Sequence, residues 1–384
     1  MGGEQIAAQL AIIGLGAFGG AALLAAARAG VKAIGFDQFA PPHDRGSTHG
    51  ETRIVRAAIG EGEAYTPFAR RSFELWDQLT EETQTPLVNR CGCLVLGGTL
   101  PHATHVPAGF LETTIQAARA HAIPHEILTG AEIRRRFPAF AAYEGAKAFF
   151  EPGAGMAYPE AVVAAQITRA RALGADIRLD EPVIAIEPDG QGVAIHTRTG
   201  VIRADRAILA AGAWTKDFLP PDLARKLNVT RQTLHWFETP APARDYDPDN
   251  MPVFIWNDLY GFPRASAAAE IKMATEALDA LADPAHIPLV YPQDRAAIHA
   301  RVAKHFPDLG QLRRSAACLY TSTPDFNFWI AQHPDVPALT VISACSGHGF
   351  KHAAAVGEAV AMHALERQGT AIPSAWTTLR QPKE

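Results

Sequence analysis

Three glycines near the start of the 384-residue chain have the spacing of a phosphate-binding turn. Gly14, Gly16 and Gly19 form a G-x-G-x-x-G motif, and Asp37 lies 23 residues after the first of them. In such a turn the first glycine permits a tight bend, the second lets a pyrophosphate approach the backbone, and the third lets a helix pack closely on a strand. The acid can accept hydrogen bonds from both ribose hydroxyls, which disfavours a 2′-phosphate. The motif therefore predicts a bound dinucleotide, FAD or NAD, and argues against NADP.

The residues around the motif predict the elements that would position it. An apolar run at 6–13 has the length of a strand, and the alanine- and leucine-rich stretch 17–29 is typical of a helix ending at Gly30. A second apolar run at 31–36 leads into Asp37. The start of the helix would offer free N–H groups and a partial positive charge to the phosphates. The order strand, turn, helix, strand and acid is that of a Rossmann-like unit.

A polar loop at 38–56 follows the motif directly. Its prolines, glycines and small polar residues indicate irregular structure. It is rich in groups that a cofactor ring could contact, among them Ser47, Thr48, Arg53 and Arg56. A polar loop is more often only a solvated connection, but its place after a dinucleotide motif favours a cofactor-binding role.

Length and composition limit the class of protein. A chain of 384 residues suggests two domains, and 48% hydrophobic with 20% charged residues is ordinary for a globular protein. The net charge of −5 gives no reason to expect nucleic acid or a membrane surface as a partner. The first ten residues lack a basic start and an apolar core, so we expect a cytoplasmic protein. Residues 373–384 look like a polar tail.

The four cysteines are expected to be thiols, and no metal site is predicted. Disulfides are rare in the cytoplasm, where we expect this protein to be. Cys91 and Cys93 would face the same side of a predicted strand at 87–98, but no partner ligands lie at metal-binding spacing. Two buried thiols are the better interpretation.

Five motifs in a fixed order carry a family resemblance. They are GLGAFGG at 14–20, the loop PPHDRGSTHGETRIVR at 41–56, AAGAW at 210–214, the pair Cys318-x-Tyr320 and SGHGFK at 346–351. From Ile12 to Arg367 the chain resembles the FAD-dependent amine oxidases of the D-amino-acid oxidase superfamily, in particular the monomeric sarcosine oxidase and N-methyltryptophan oxidase family. The resemblance implies bound FAD, joined covalently through the sulfur of Cys318. Cys345, beside the glycine-rich turn, is a weaker candidate for the same bond.

The resemblance also implies an α/β fold with two interleaved domains. We expect a Rossmann-like FAD-binding domain at 5–85, 150–218 and 325–372. A substrate domain built on a mixed sheet would comprise 86–149 and 219–324. The substrate pocket would then lie between the two domains, a common place for ligands.

Several site residues follow from the same resemblance. Arg56 and Lys351 match the pair that holds the substrate carboxylate, since arginine suits bidentate contact and lysine acts as a point charge. Arg53 matches a cation beside the flavin ring, and Lys272 matches the lysine that activates molecular oxygen. The turn containing Gly347 and Gly349 opens a helix, and its N–H groups could point at the flavin edge. Lys351 of that same turn is therefore also a cofactor-binding candidate.

Tyr260 and Tyr320 match tyrosines that line the substrate pocket. Glu276 departs from the family pattern, because a histidine occupies the matching position in sarcosine oxidase. If Glu276 faces the pocket, its carboxylate would favour a cationic amine or a basic side chain.

The implied activity is that of an oxidase. It would convert the C–N bond of an N-methyl or other secondary amino acid to an imine, with oxygen reduced to hydrogen peroxide. A cyclic, primary or sugar-modified amino acid is an alternative substrate, and a flavin dehydrogenase using another electron acceptor is an alternative enzyme. Two alternatives belong to other functional classes: an NAD-dependent dehydrogenase and a dinucleotide-binding protein without catalytic activity.

Overall fold

The structure is a computed structural model that describes residues 8–97, 109–141 and 144–378. The first predicted strand begins outside these residues, and its described part starts at Ala8. The strands are β1 (Ala8–Ile13), β2 (Ala33–Phe36), β3 (Arg53–Val55), β4 (Val88–Asn89), β5 (Cys93–Leu96), β6 (Glu126–Thr129), β7 (Lys147–Glu151), β8 (Gly155–Ala157), β9 (Asp176–Arg178), β10 (Val183–Asp189), β11 (Gly192–Thr197), β12 (Val201–Leu209), β13 (Asn228–Glu238), β14 (Val253–Trp256), β15 (Leu259–Gly261), β16 (Glu270–Thr275), β17 (Leu312–Ser322), β18 (Trp329–Gln332) and β19 (Leu339–Ser343).

The helices of the described residues lie between these strands. They are α1 (Ala17–Arg28), α2 (Thr66–Thr83), α3 (Phe110–Ala120), α4 (Gly130–Arg136), α5 (Pro159–Ala172), α6 (Pro221–Ala224), α7 (Pro292–His305) and α8 (Ala353–Ala364). α1 ends one residue earlier than predicted, and Gly30 follows with a positive φ of 70°, as expected of a glycine just past a helix end.

The first sheet contains the predicted glycine turn. Its main order is β10-β11-β12-β1-β2-β9, with β19 paired to β12 and β18 paired to β19. β1 runs parallel to both β2 and β12, so the turns after these strands lie at one edge of the sheet. Ligands of open α/β sheets bind at this carboxyl edge. α1 packs between α5 and α8 on one face, and their apolar residues form a large part of the main core.

The second sheet is mixed, as predicted for a substrate domain. Its order is β17-β13-β16-β15-β14-β5-β7-β6, with the β5–β14 pair parallel and the other pairs antiparallel. A small antiparallel sheet has the order β3-β8-β4. In the chain, β3 and β4 come before β5, the first strand of the second sheet, and β8 comes directly after β7 of that sheet. The described segments of each large sheet are therefore interrupted along the chain by those of the other. The domain boundaries themselves stay a prediction.

Two sequence interpretations were wrong. The stretch 87–98 is two short strands, β4 and β5, in its described part, because Gly92 takes a φ of +83° and interrupts it. Cys91 therefore lies in the connection and is half-buried, whereas Cys93 is buried in β5. The segment 373–378 is no polar tail, because Trp376 is 1% exposed and packs against Tyr65, Phe68 and Phe328. The rest of that predicted tail lies outside the described residues.

All four cysteines are free thiols, as expected. Among the described residues, no helix combines the length and apolar character needed to cross a membrane.

Candidate active site

The glycine turn between β1 and α1 can be built only from glycines at two of its positions. Gly14 has a φ of +91°, and a Cβ there would lie 2.5 Å from the carbonyl oxygen of Ala210. A Cβ on Gly19 would lie 1.7 Å from the carbonyl oxygen of Gly14. At Gly16 the nearest atom to an added Cβ is the Thr48 hydroxyl at 3.6 Å, so this backbone faces open space.

That open space is a cavity of about 380 Å³, which we call the cofactor cavity. Most of the predicted cofactor-binding residues line it: Gly14, Gly16, Asp37, Ser47, Thr48, Gly347 and Gly349. The segment 210–214, whose sequence indicated a close backbone approach, lines it as well. Gly19 does not line the cavity, and its role is the close packing of the turn. The structure thus brings together residues that lie hundreds of positions apart in the chain.

The start of α1 and the acid after β2 suit a dinucleotide. Gly16 caps the helix without a side-chain hydrogen bond, and no acidic residue occupies the first turn. The N–H groups there are therefore available to phosphate oxygens. Asp37 is buried, and its carboxylate accepts hydrogen bonds from the backbone N–H groups of Leu15 (2.8 Å) and Phe39 (2.9 Å). These bonds fix the acid at the cavity wall, where a ribose would meet it. The residues present fit FAD.

A second, smaller cavity of about 130 Å³ adjoins the first, and we call it the substrate cavity. All of the residues predicted for catalysis or substrate binding line it: Arg53, Arg56, Tyr260, Lys272, Tyr320 and Lys351. Arg53, Tyr320, Gly347 and Phe350 line both cavities, so the two meet at these four residues. A ring placed at this junction would face both cavities.

The second sheet supplies one wall of the substrate cavity through its register. Tyr260 pairs with Ala274 and, two residues along β16, Lys272 lies on the same face. Ala274 in turn pairs with Leu234 of β13, which pairs with Ala316 of β17. Because successive side chains alternate between faces, Cys318 and Tyr320 share the face of Ala316. Three strands thus present their functional side chains to one side.

Lys272 is a buried cation in this wall. Its ammonium group donates to the backbone carbonyls of Gly50 (2.8 Å) and Thr52 (2.6 Å), and lies 4.1 Å from the ring centroid of Phe262. Burial lowers the pKa of Lys272 well below its ordinary value, and the Arg53 cation lowers it further. The two carbonyls and the aromatic face favour the charged form, so the site can hold a cation where solvent is excluded.

The two predicted carboxylate-binding cations meet at a glutamate that the sequence interpretation missed. Glu61 contacts Arg56 at 2.6 Å and Lys351 at 2.8 Å, and all three side chains are buried. Burial alone would raise the pKa of Glu61, but the two cations hold it well below its ordinary value. Burial lowers the pKa of Lys351 to about 8. The only sequence signal for Glu61 was an acid five residues after Arg56 in a stretch of small residues.

A second missed glutamate holds the segment that carries Arg56. Glu151, at the end of β7, is 2% exposed and accepts hydrogen bonds from the N–H groups of Ala57 (2.8 Å) and Ala58 (3.0 Å). Arg56 also donates to the carbonyl of Ala58. Arg53, four residues before Ala57, donates to the carbonyls of Thr52 (2.8 Å) and Ser47 (2.7 Å). These bonds fix both arginines to backbone groups.

The two cysteines considered for flavin attachment have different surroundings. Cys318 is 1% exposed, packs with Leu234 and Trp236, and lines neither cavity. Burial raises its pKa, while the Arg53 cation acts in the opposite direction. Cys345 is half-buried and lines the cofactor cavity. Of these two residues, Cys345 therefore lies at the cofactor cavity and Cys318 lies within the packed sheet.

We expect Gly19→Ala to reduce flavin retention and stability. The added methyl group would overlap the Gly14 carbonyl, and overpacking of this kind costs about 1–3 kcal/mol. The ratio of flavin to protein absorbance and the thermal unfolding midpoint both test this. Gly153→Ala is the control, because a Cβ there would meet no atom within 4 Å. Equal flavin content and equal midpoints in the two variants would contradict the role of the turn.

Comparison with known proteins agrees with this geometry. Residues 9–362 match the family model described as FAD dependent oxidoreductase (DAO). The chain is 35% identical over 363 residues to monomeric sarcosine oxidase from Streptomyces avermitilis, covering 92% of each chain. It is 32% identical over 378 residues to N-methyl-L-tryptophan oxidase from Yersinia pestis, covering 97% of this chain and 98% of that protein.

Solved structures with the same fold are more distant in sequence. NikD, described as an unusual amino acid oxidase essential for nikkomycin biosynthesis, matches with a TM-score of 0.82 and 22% identity over 97% of this chain and 98% of that one. Glycine oxidase from Geobacillus kaustophilus matches with a TM-score of 0.80 and 19% identity over 98% and 99% of the two chains. These likenesses confirm the α/β fold predicted from the sequence.

Proposed function

The chain belongs to the FAD-dependent oxidoreductase family, and from this premise we propose that it oxidises the C–N bond of an N-methyl or other secondary amino acid to an imine, with oxygen as electron acceptor. The observation that carries the proposal is the junction of the two cavities at Arg53 and Tyr320. A dinucleotide on one side and a carboxylate-binding pocket on the other suit an amino-acid oxidase. The relatives named above support the same substrate class.

The reaction needs a cofactor that accepts two electrons. FAD supplies this chemistry when bound, receiving a hydride equivalent from the substrate and passing two electrons to oxygen. In total the amine loses two electrons and two protons as its C–N bond becomes C=N. Oxygen gains the same two electrons and two protons and becomes hydrogen peroxide. The protein must therefore orient the amine, hold its carboxylate and stabilise negative charge.

We assign the carboxylate to Arg56 and Lys351. Both are buried cations whose present partner is the carboxylate of Glu61, so the site already accommodates one carboxylate between them. A substrate carboxylate would share or replace that contact. Either cation can make a charge-assisted hydrogen bond, which is stronger than a neutral one. Tyr260 and Tyr320, which hydrogen-bond to each other, would line the remaining wall.

Arg53 and Lys272 would stabilise negative charge near the cavity junction. Arg53 lines both cavities, and its guanidinium is fixed by two backbone carbonyls. Preorganised charges of this kind act strongly where water is excluded. We propose Arg53 as the cation beside the flavin ring and Lys272 as the cation that attracts electrons toward oxygen. We also propose that Cys318 carries the FAD covalently.

The proposed activity is tested by purifying the protein and screening for peroxide. A yellow protein with a flavin spectrum would exclude an NAD-dependent dehydrogenase. Peroxide formed with N-methyl amino acids would support the proposal, whereas peroxide only with cyclic, primary or sugar-modified amino acids would change the substrate class. Substrate oxidation that requires an artificial acceptor and yields no peroxide would identify a dehydrogenase. A flavoprotein inactive with every amino acid and every acceptor would overturn the proposal.

Arg56→Ala should leave the flavin spectrum nearly unchanged and weaken substrate binding severely. Loss of a hydrogen bond to a charged group costs about 1.5–3 kcal/mol, which is roughly ten- to more than a hundredfold in affinity. Steady-state kinetics and binding of an unreactive carboxylate would measure the change. Arg225→Ala is a control, because this arginine is exposed and pairs with Asp222, three residues earlier on the surface. Unchanged kinetics in Arg56→Ala would reject the assignment.

A further inference from the structure

Three oxygen-bearing side chains from neighbouring strand ends line the substrate cavity. Asn257, Asp258 and Glu276 line the cavity together with the proposed carboxylate-binding cations. They come from two places in the second sheet, because Asn257 and Asp258 form the turn between β14 and β15, and Glu276 directly follows β16. Their presence in one cavity was not predicted, apart from the conditional placement of Glu276.

Strand register explains why these residues meet. Leu259, the first residue of β15, pairs with Thr275, the last residue of β16. Continuing this antiparallel register by one residue brings Asp258 beside Glu276. Glu276 also follows the alternation of Lys272 and Ala274, so it continues the sheet face that lines the cavity. On this face, Lys272 thus lies within β16 and Glu276 lies just beyond the last residue of that strand.

Several charged side chains of the cavity already have ion-pair partners. Arg56 and Lys351 are directed at Glu61, and Asp258 forms an ion pair with Arg301 at 2.7 Å. Glu276 lies near the two tyrosines, since its negative charge contributes to raising the pKa of both Tyr260 and Tyr320. The side-chain oxygen of Asn257 is buried and receives no hydrogen bond from any described residue. Asn257 and Glu276 therefore offer acceptors and negative charge to the cavity.

We propose that Glu276 selects an amino-acid substrate that carries a second cationic group, an ammonium or guanidinium, away from its carboxylate. The proposal rests on the proposed function, because it takes the carboxylate to bind at Arg56 and Lys351. The second cation would contact the Glu276 carboxylate, and the amide oxygen of Asn257 would accept a further hydrogen bond from it. A neutral side chain of the same length would make neither the charge-assisted contact with Glu276 nor the hydrogen bond to Asn257.

Matched pairs of ligands test this without turnover. The holoenzyme is titrated with 6-aminohexanoate and with hexanoate, following the flavin absorbance and the thermal unfolding midpoint. Shorter and longer amino carboxylates, from 4-aminobutanoate to 8-aminooctanoate, locate the best separation of the two charges. At the best length we expect the wild-type protein to bind the amino compound roughly tenfold or more tightly than its neutral partner, as for a charged hydrogen bond.

Glu276→Gln should reduce that preference by roughly tenfold or more. Glu270→Gln is the matched control, because Glu270 begins the strand that Glu276 follows but pairs with Arg314 and does not line the cavity. The same comparison is made in turnover with Nα-methyllysine and Nα-methylnorleucine, using the ratio of their kcat/KM values. If Glu276→Gln does not fold, the test rests on the wild-type protein alone. The deciding measurement is then whether it binds amino carboxylates more tightly than neutral carboxylates across the length series.

The outcomes separate the two proposals. If neutral carboxylates bind but no amino carboxylate binds more tightly, the role of Glu276 is wrong and the carboxylate site stands. An equal preference in wild type and Glu276→Gln also overturns that role. If no carboxylate binds and no N-methyl amino acid is oxidised, the proposed function is wrong, and the inference is wrong with it.

Discussion

Lys272→Met should slow the reaction of the reduced enzyme with oxygen by roughly 100- to 1,000-fold. Loss of one preorganised charge-stabilising donor in a water-excluded site has an effect of this size. Methionine keeps the length and apolar stem of the side chain while removing the ammonium group and its bonds to the carbonyls of Gly50 and Thr52. We expect reduction of the enzyme by substrate to change much less, because we assign the carboxylate contacts to Arg56 and Lys351.

Rapid mixing separates the two half-reactions. The enzyme is reduced without oxygen by its best substrate, then mixed with oxygenated buffer while flavin absorbance is followed. Lys304→Met is the control, since this lysine lies exposed on α7. An oxygen rate constant within threefold of the wild-type value in Lys272→Met would remove Lys272 from the proposed site.

The pH dependence of the wild-type oxygen reaction provides a second check. A lysine is charged below its pKa and neutral above it. Because burial lowers the pKa of Lys272 well below the ordinary value, the rate constant should fall with rising pH before a solvent-exposed lysine would titrate. In Lys272→Met that fall should be absent. A rate constant that rises with pH in the wild-type protein would contradict a cationic role for this residue.

The cofactor half of the site could be predicted from sequence because its determinants are local. Gly14, Gly19 and Asp37 lie within one strand-turn-helix-strand unit, and the geometry of that unit restricts which residue type fits at each of these positions. The turn needs a positive φ at Gly14, and no side chain fits at Gly19. Such constraints appear as residue types at fixed spacing, so the structure matches the expectation within a few residues at each element.

The substrate half depends on contacts between distant segments. Lys272 and Tyr320 share a wall only through the register of β16, β13 and β17, which residue spacing does not specify. Glu61 lies close to Arg56 in sequence but is joined to Lys351 across 290 residues. Family resemblance pointed to the cations, and folding was needed to identify the acid between them. Trp376 was missed similarly, because its partners Tyr65 and Phe328 come from elsewhere in the chain.

Cys318→Ser should remove the covalent bond to FAD that we propose, so that the flavin becomes releasable. The proposed thioether would require the Cys318 thiol and the flavin 8α-methyl group each to lose one hydrogen, with the two electrons passing to oxygen. Cys318 lies on the sheet face that also carries Tyr320, and both Arg53 and Lys272 are close enough to lower its pKa against the effect of burial. A nearby cation favours the thiolate, which is the reactive form of cysteine.

The test is acid precipitation followed by measurement of flavin in the pellet and the supernatant. We expect nearly all flavin in the wild-type pellet and nearly all in the Cys318→Ser supernatant, because a denatured chain keeps only a covalent cofactor. Cys93→Ser controls for the loss of a buried thiol that is not a candidate for flavin attachment, and its flavin should stay in the pellet. Cys345→Ser decides between the two candidates, because Cys345 lines the cofactor cavity. Flavin retained in Cys318→Ser but released in Cys345→Ser would assign the bond to Cys345. Flavin released from the wild-type protein would mean that the glycine turn, Asp37 and the loop hold it without a covalent bond.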